Sequence, residues 1–133
     1  MTIEELLEKP YWIIDILPKQ VPKDSPGQYF AVEDFFLKEE LSEIKKKHIN
    51  VVLKLNCYMD ITIDDDMNPS PEQIRDKMLG RDVYIMMGDS MILSETDDTH
   101  LTLFNPDDGV LDMINVIASS EGLFVWKGNE AER

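Results

Sequence analysis

The stretch DITIDDDMNPSPEQ, residues 60–73, holds the densest group of side chains in the chain that could bind a cation. The candidate metal ligands in it are Asp60, Asp64, Asp66 and Asn68, with Asp65 between them. Carboxylate and amide oxygens are hard ligands, which suit calcium, magnesium or manganese better than zinc. The stretch therefore raises the hypothesis of a weak divalent-cation site.

The spacing of these residues does not match an EF-hand. A loop that started at Asp64 would place Pro69 where glycine is needed and Arg75 where a bidentate glutamate is needed. The same stretch ends in Ser70 and Gln73, which form the capping-box pattern of a helix N-terminus. Aspartates upstream of a helix are favoured by its positive end. We therefore favour a helix start, with a cation site or a contact for a basic partner as alternatives.

Asp15 and His100 are the candidates for acid–base chemistry. Asp15 is the one charge in the apolar run YWIIDIL (11–17), and burial of such a carboxyl would raise its pKa, as in many catalytic acids. The alternative is that Asp15 meets a lysine or a backbone amide at a sheet edge. His100 follows Asp97 and Asp98 at the start of a predicted strand, where a surface role is the alternative to acid–base or ligand chemistry.

Cys57 is predicted to be an inert, buried small hydrophobe, because it falls on the apolar face of a predicted strand. His48 is predicted to end the preceding helix and to interact with its C-terminus. Two histidines and one cysteine cannot complete a zinc site without carboxylates. The sequence contains no H-x-x-E-H, C-x-x-C, P-loop or G-x-S-x-G motif.

The charge of the chain is strongly negative, at −14 over 133 residues. Residues 82–126 contain nine acids and no lysine or arginine. Phosphate contact requires cations, so nucleic acid is excluded as a partner and an anionic membrane surface is disfavoured. A basic protein would fit instead. The candidate residues of such a partner surface are Asp89, Glu95, Asp97, Asp98, Asp107 and Asp108.

The elements that position these side chains indicate an α+β fold in a single domain, 1–133. We expect a mostly antiparallel sheet of about five to six strands with three main helices packed on it. The predicted helices cover about 32–47, 70–80 and a stretch after Asn105, which is expected to cap it with Pro106 at the first helical position. The predicted strands cover 11–17, 51–64, 82–87, 90–95, 100–104 and 123–126.

Two of these strand predictions rest on strong local patterns. In residues 51–64 the apolar positions alternate with polar ones, with Leu53, Leu55, Cys57, Met59, Ile61 and Ile63 on one face. Gly88 and Asp89 separate two apolar runs, as in a β-hairpin. The aromatic first and last strands are expected to be neighbours in the sheet.

We expect a cytoplasmic protein. The chain opens with a polar run rather than a signal peptide, and no apolar stretch approaches the ~20 residues of a membrane span. A single cysteine fits a reducing compartment.

The segments YWIIDILPKQVP (11–22) and SEGLFVWKG (120–128) resemble segments of small uncharacterised bacterial cytosolic proteins. That resemblance implies a free-standing bacterial protein and no functional residue. In size and acidity the chain is also similar to immunity proteins that block cationic toxins.

Three hypotheses follow for function. The first is a non-catalytic protein that binds a basic partner protein through an acidic face. The second is a small enzyme or divalent-cation-binding protein that uses carboxylates of 60–66, with His100 or Asp15. The third is a homo-oligomer in which an exposed strand edge pairs with a second copy.

Overall fold

A computed structural model describes residues 1–128, which form one seven-stranded antiparallel sheet with helices on it. The strands are β1 (Tyr11–Asp15), β2 (Thr62–Ile63), β3 (Asp66–Met67), β4 (Val83–Met87), β5 (Ser90–Ser94), β6 (Leu101–Phe104) and β7 (Phe124–Lys127). Their order across the sheet is β3-β2-β4-β5-β6-β1-β7. The predicted α+β class and antiparallel sheet are confirmed, as is the pairing of the first strand with the last.

Three main helical stretches pack on the sheet, as predicted. The helices are α1 (Ile3–Leu7), α2 (Tyr29–Phe35), α3 (Leu41–Asn56), α4 (Pro71–Gly80) and α5 (Asp108–Ser120). A π turn at Phe36–Glu40 joins α2 to α3 end to end, so that 29–56 is one long helical stretch. α1 is a single short helix near the N-terminus.

Several local signals form as predicted. The amide of Gln73 donates to Ser70 Oγ at 3.1 Å and the amide of Ser70 donates to Gln73 Oε1 at 2.9 Å, which completes the capping box of α4. Gly88 has a φ of +60° in the β4–β5 hairpin, and Gly122 has a φ of +73° after α5. Both positions require the left-handed conformation that glycine adopts without strain.

The predicted strand over 51–64 is wrong for most of its length. α3 continues to Asn56, and only Thr62–Ile63 are in a strand. Apolar and buried positions in α3 also recur at helical spacing, and the packed face of the helix holds Ile44, His48, Val51, Val52 and Leu55. Because both periods fit the sequence here, packing against the sheet decides between them.

Two further predictions about this part of the chain are wrong for the same reason. Cys57 follows the end of α3 and is exposed, rather than buried on a strand face. His48 lies in the middle of α3 and is fully buried, rather than at a helix end.

The predicted cap of the last helix is also wrong. Asn105 adopts a φ of +56° in the turn after β6, and the helix begins three residues later. Asp107 is the N-cap instead, and its Oδ1 accepts from the amide of Val110 at 2.8 Å. Asn is one of the few residues that tolerates the left-handed conformation, which suits Asn105 to the turn.

The alternation of β1 separates the two apolar clusters of the fold. Ile14 faces the larger cluster, where the sheet meets α3, α4 and α5. Tyr11 and Ile13 face the opposite side, where a smaller cluster includes Leu6 of α1 and Phe104 of β6. Asp15 shares the parity of Tyr11 and Ile13, so the strand directs its side chain to this second face.

Candidate functional site

Two concavities bring together side chains that the sequence had marked. The first is a cleft of about 170 Å³ on the sheet face opposite the larger apolar cluster. It is lined from β1 by Tyr11, Ile13 and Asp15, and from β7 by Trp126, which lies directly across from Ile13. We refer to it below as the β1 cleft.

Asp15 and His100 both line the β1 cleft. β1 and β6 pair in antiparallel register as far as Ile14 and Leu101, so Asp15 and His100 are the next residues along each strand. The two acid–base candidates, separated by 85 positions in the chain, are therefore brought to the same end of neighbouring strands.

Asp15 is almost completely buried, with 9% of its surface exposed. Its Oδ1 accepts from the amide of Ile16 at 2.7 Å. Burial raises the pKa of this carboxyl, and the backbone amides and the nearby His100 oppose that shift without cancelling it. The contact with the Ile16 amide is the backbone contact that was predicted as the alternative to a catalytic role for Asp15.

His100 is held by a neighbour on its own loop. Its Nδ1 lies 2.8 Å from Oδ1 of Asp98, and a carboxylate can only accept, so the proton of the neutral ring is on Nδ1. Nε2 is buried and has no hydrogen-bond partner among the described residues. Burial acts to raise the pKa of Asp98, but the hydrogen bond from His100 holds that pKa below its ordinary value.

α2 closes the same end of the sheet. Tyr29 lines the β1 cleft, and its hydroxyl donates to Glu33 Oε2 at 2.5 Å, one helical turn away. Burial, followed by that carboxylate, raises the pKa of Tyr29. The phenol is therefore a neutral donor that is already occupied by Glu33.

The second concavity is an open groove of about 620 Å³ at the end of the sheet that carries the β4–β5 hairpin. Three aspartates line it, Asp60, Asp89 and Asp107, and all three are exposed. Its other side chains include Met59, Met87 and Val110. None of the residues that line it is a lysine, arginine or histidine. We refer to it below as the acidic groove.

Short-range contacts hold the carboxylates of Asp60 and Asp107 and the backbone of Asp89 in the acidic groove. Asn105 Nδ2 donates to the carbonyl of Asp89 at 2.9 Å, which ties the hairpin to the turn after β6. Asp60 Oδ1 accepts from Asn68 Nδ2 at 3.0 Å, and Asp107 is the N-cap of α5.

The aspartate-rich stretch divides between two environments. Asp64 pairs with Lys77 at 3.0 Å and with Arg81, and Lys77 also lies 3.9 Å from Asp66. Asn68 supports the turn, because its Oδ1 accepts from the amide of Ile61 at 3.0 Å. In residues 1–128, no three His, Cys, Asp or Glu side chains lie close enough together to hold a metal ion. The candidate ligands Asp60, Asp64, Asp66 and Asn68 are thus distributed over the stretch rather than gathered around one point.

The six residues of the predicted partner surface fall at two ends of the sheet. Asp89, Asp107 and Asp108 are at the hairpin end. The loop between β5 and β6 at the other end contains Glu95, Asp97 and Asp98. The acidic surface is therefore divided, and the hairpin end forms a concavity lined by three carboxylates.

The burial of two polar residues of α3, Lys45 and His48, was not predicted. Lys45 Nζ donates to Ser94 Oγ at 3.2 Å and to the carbonyl of Glu95 at 2.8 Å, and burial lowers its pKa. Burial lowers the pKa of His48 to about 3, with the Lys45 ammonium acting in the same direction. The signal was the helical spacing of His48 with Ile44 and Leu55, which places it on the packed face.

Comparison of the chain with protein-family profiles, with curated proteins and with solved structures found no match. Over residues 1–128, none of the helices has the length and apolar character required to cross a bilayer.

Proposed function

We propose that this chain is a small acidic cytoplasmic protein that binds a basic segment of a partner protein through the acidic groove, without catalysing a reaction. One observation carries the proposal: three carboxylates line one concavity that has no cationic residue in its lining. Such an arrangement concentrates negative potential, and a lysine or arginine from a partner would be attracted to it.

The apolar side chains of the acidic groove support the same kind of partner. Met59, Met87 and Val110 offer flexible and aliphatic contacts beside the carboxylates. Lysine and arginine carry apolar stems below their charges, and methionine adapts to such stems well. The groove thus suits a long cationic side chain better than a compact ion.

The rigidity of the acidic groove favours binding as well. Asp107 is held by its capping contact, Asp60 by Asn68, and the backbone of Asp89 by Asn105. Carboxylates that are fixed before binding lose less conformational entropy when a partner arrives.

The proposal also includes a biological role and a cellular compartment. An inhibitor-like or immunity-like role would suit a small acidic protein whose partner is basic. A reducing cytoplasm fits a chain whose single cysteine, Cys57, is exposed and unpaired.

The test uses a capped ten-residue peptide of alternating lysine and glycine. Its binding is measured by calorimetry at several salt concentrations. The groove variant is Asp60→Asn, Asp89→Asn and Asp107→Asn together. Asn is as good an N-cap as Asp, so α5 keeps its cap. We expect binding to weaken at least tenfold, and the affinity of the unaltered protein to fall as salt rises.

The matched control loses three exposed acids elsewhere, as Asp24→Asn, Glu39→Gln and Glu43→Gln. Its binding should change less than threefold. An equal loss in both triple variants would mean that the peptide senses only net charge, and the groove would not be its site.

A second candidate function is a small carboxylate-dependent enzyme, and one observation favours it. Asp15 and His100 line the same cleft, and Asp98 orients the imidazole. A carboxyl and an imidazole that share one cleft are the side chains most often used in general acid–base catalysis. Hydrolysis of chromogenic ester, phosphoester or glycoside probes by the unaltered protein, with loss in His100→Gln, would support this function over the first.

A further inference from the structure

The carboxyl of Asp15 is buried without an ionic partner in the part of the chain that the structure describes. It is 91% buried, and no lysine, arginine or histidine within residues 1–128 lies within 4 Å of it. A buried carboxylate is costly unless it is paired or neutralised. The amide of Ile16 and the nearby His100 compensate this charge only in part, so an arriving cation could pair with a carboxyl at the wall of the cleft.

The β1 cleft has the size and lining of a small-molecule site. Its volume of about 170 Å³ is several times the ~30 Å³ that one water occupies in the liquid, so it can hold a ring-sized molecule. Apolar walls come from Ile13, Leu17 and Val21, and aromatic faces come from Tyr11 and Trp126.

One wall of the β1 cleft is fixed by a hydrogen bond. Trp126 Nε1 donates to the carbonyl of Leu17 at 3.3 Å, which ties the indole of β7 to the segment after β1. A rigid apolar slot with few oriented polar groups is the usual form of a small-ligand site.

We propose that the β1 cleft binds a small organic cation, with its ammonium or amidinium group paired to Asp15 and its apolar or aromatic body against Ile13, Leu17 and Trp126. Pairing with the cation would replace the stabilisation by water that the Asp15 carboxylate lost on burial. The aromatic faces of Tyr11 and Trp126 would add cation–π attraction for a charge that lies over them.

The other polar groups around the cleft favour a cation over an anion. Two further carboxylates contact lining residues of the cleft, Asp98 at His100 and Glu33 at Tyr29, and they add negative charge next to that of Asp15. Lys19 also lines the cleft, but it is exposed, so water and salt screen its charge. The rise in the pKa of Asp15 on burial agrees with a site that gains from an arriving positive charge.

This inference goes beyond the proposed protein-binding function and does not depend on it. The acidic groove and the β1 cleft share no lining residue. Failure of one site therefore leaves the other intact, and the groove variant serves as a control for the cleft.

The experiment compares benzamidine with benzamide and benzoate, three ligands of nearly equal size that are cationic, neutral and anionic at pH 7.5. Binding is followed by calorimetry and by the indole N–H signal of Trp126 in ¹⁵N-labelled protein. We expect benzamidine to bind at least tenfold more tightly than benzamide and to shift the Trp126 signal. Equal binding of benzamide, preferred binding of benzoate, or no binding of benzamidine would overturn the proposal.

Two variants locate the site. Asp15→Asn keeps the shape of the side chain, and it should lower benzamidine affinity at least tenfold. Val21→Trp should block the cleft from its rim with Asp15 still in place, which covers the case in which the first variant does not fold. Asp24→Asn removes the same charge from an exposed position that does not line the cleft and should leave affinity unchanged. A loss in Asp24→Asn as large as in Asp15→Asn would also overturn the proposal.

Discussion

His100 Nδ1 lies 2.8 Å from Asp98 Oδ1, and this contact gives the imidazole a fixed tautomer beside the β1 cleft. Asp98→Asn keeps an acceptor oxygen but removes its charge, and it should lower the free energy of unfolding by about 1 kcal/mol at pH 7, because hydrogen bonds to charged groups are worth more than neutral ones. The folded-state pKa of Asp98 is lowered. Its contribution to the free energy of unfolding is therefore fully present at pH values above the ordinary aspartate pKa and is lost as pH falls through the folded-state pKa. Urea unfolding over a series of pH values from 7 downwards should show a difference between variant and parent that is constant near neutral pH and shrinks once the pH falls below the ordinary aspartate pKa of about 3.8. The exposed neighbour change Asp97→Asn is the control, and an equal loss in it would contradict this account.

His48 should make the protein sensitive to mild acid. Its folded-state pKa is lowered to about 3, so only the unfolded chain takes up a proton as pH falls below about 6.5. Stability that depends on the neutral ring is therefore present above pH 6.5 and is lost as pH falls from there towards 3. Between pH 7.5 and 5.0 the loss should reach about 2 kcal/mol.

His48→Leu should remove this loss, because leucine occupies the same buried position and cannot take up a proton. Urea unfolding of parent and variant at the two pH values measures the difference. Parallel loss of stability in the two proteins would mean that His48 is not the group that titrates.

The aspartate-rich stretch should not respond to divalent cations. Asp64 already pairs with Lys77 and Arg81, which would have to be displaced. Thermal unfolding with calcium, magnesium or manganese, against an ionic-strength control, should show an unchanged melting point. A rise of roughly 3–6 °C, as expected for a ligand at ten times its dissociation constant, would restore the cation-site hypothesis. Loss of that rise in Asp64→Asn would place the ion in this stretch.

Gly128→Ala should destabilise the end of β7. A Cβ at this position would lie 1.8 Å from Cε2 of Tyr11, so the aromatic ring or the strand would have to move. Overpacking of this kind costs about 1–3 kcal/mol. Gly27→Ala is the matched control, because its nearest contact would be at 3.9 Å. Thermal unfolding that left both variants equal to the parent would show that Tyr11 has room to yield.

Local chemistry in the sequence predicted the fold well where only one structure satisfied it. The hairpin at Gly88 and the capping box of Ser70 and Gln73 each have one local solution, and both are present. Residues 51–56 have no single local solution, because their apolar positions fit a period of two as well as a helical period. Packing of Val52 and Leu55 against the sheet selects the helix over the strand. This tertiary contact cannot be read from the local sequence.

The candidate sites were harder to predict, because each depends on strand order. Asp15 and His100 were identified singly, but only the pairing of β1 with β6 makes them neighbours. Asp60 was assigned to a cation site and Asp89 to a partner surface, yet both line the acidic groove. Their convergence follows from β2 and β5 flanking β4, which sequence patterns did not specify.

The π turn at Phe36–Glu40 has a consequence for how this protein tolerates changes in length. A π turn holds one residue more than the α-helix around it needs, and each residue of an α-helix turns the chain by about 100°. Deletion of one residue within the turn would let the helix close regularly, whereas deletion of one residue within α3 would rotate α2 by roughly that angle. Tyr29 would then be carried away from the β1 cleft although every contact within α2 survived. The wall of the cleft therefore depends on the number of residues in α3. A deletion of one residue in α3 would misplace Tyr29 without removing any contact within α2.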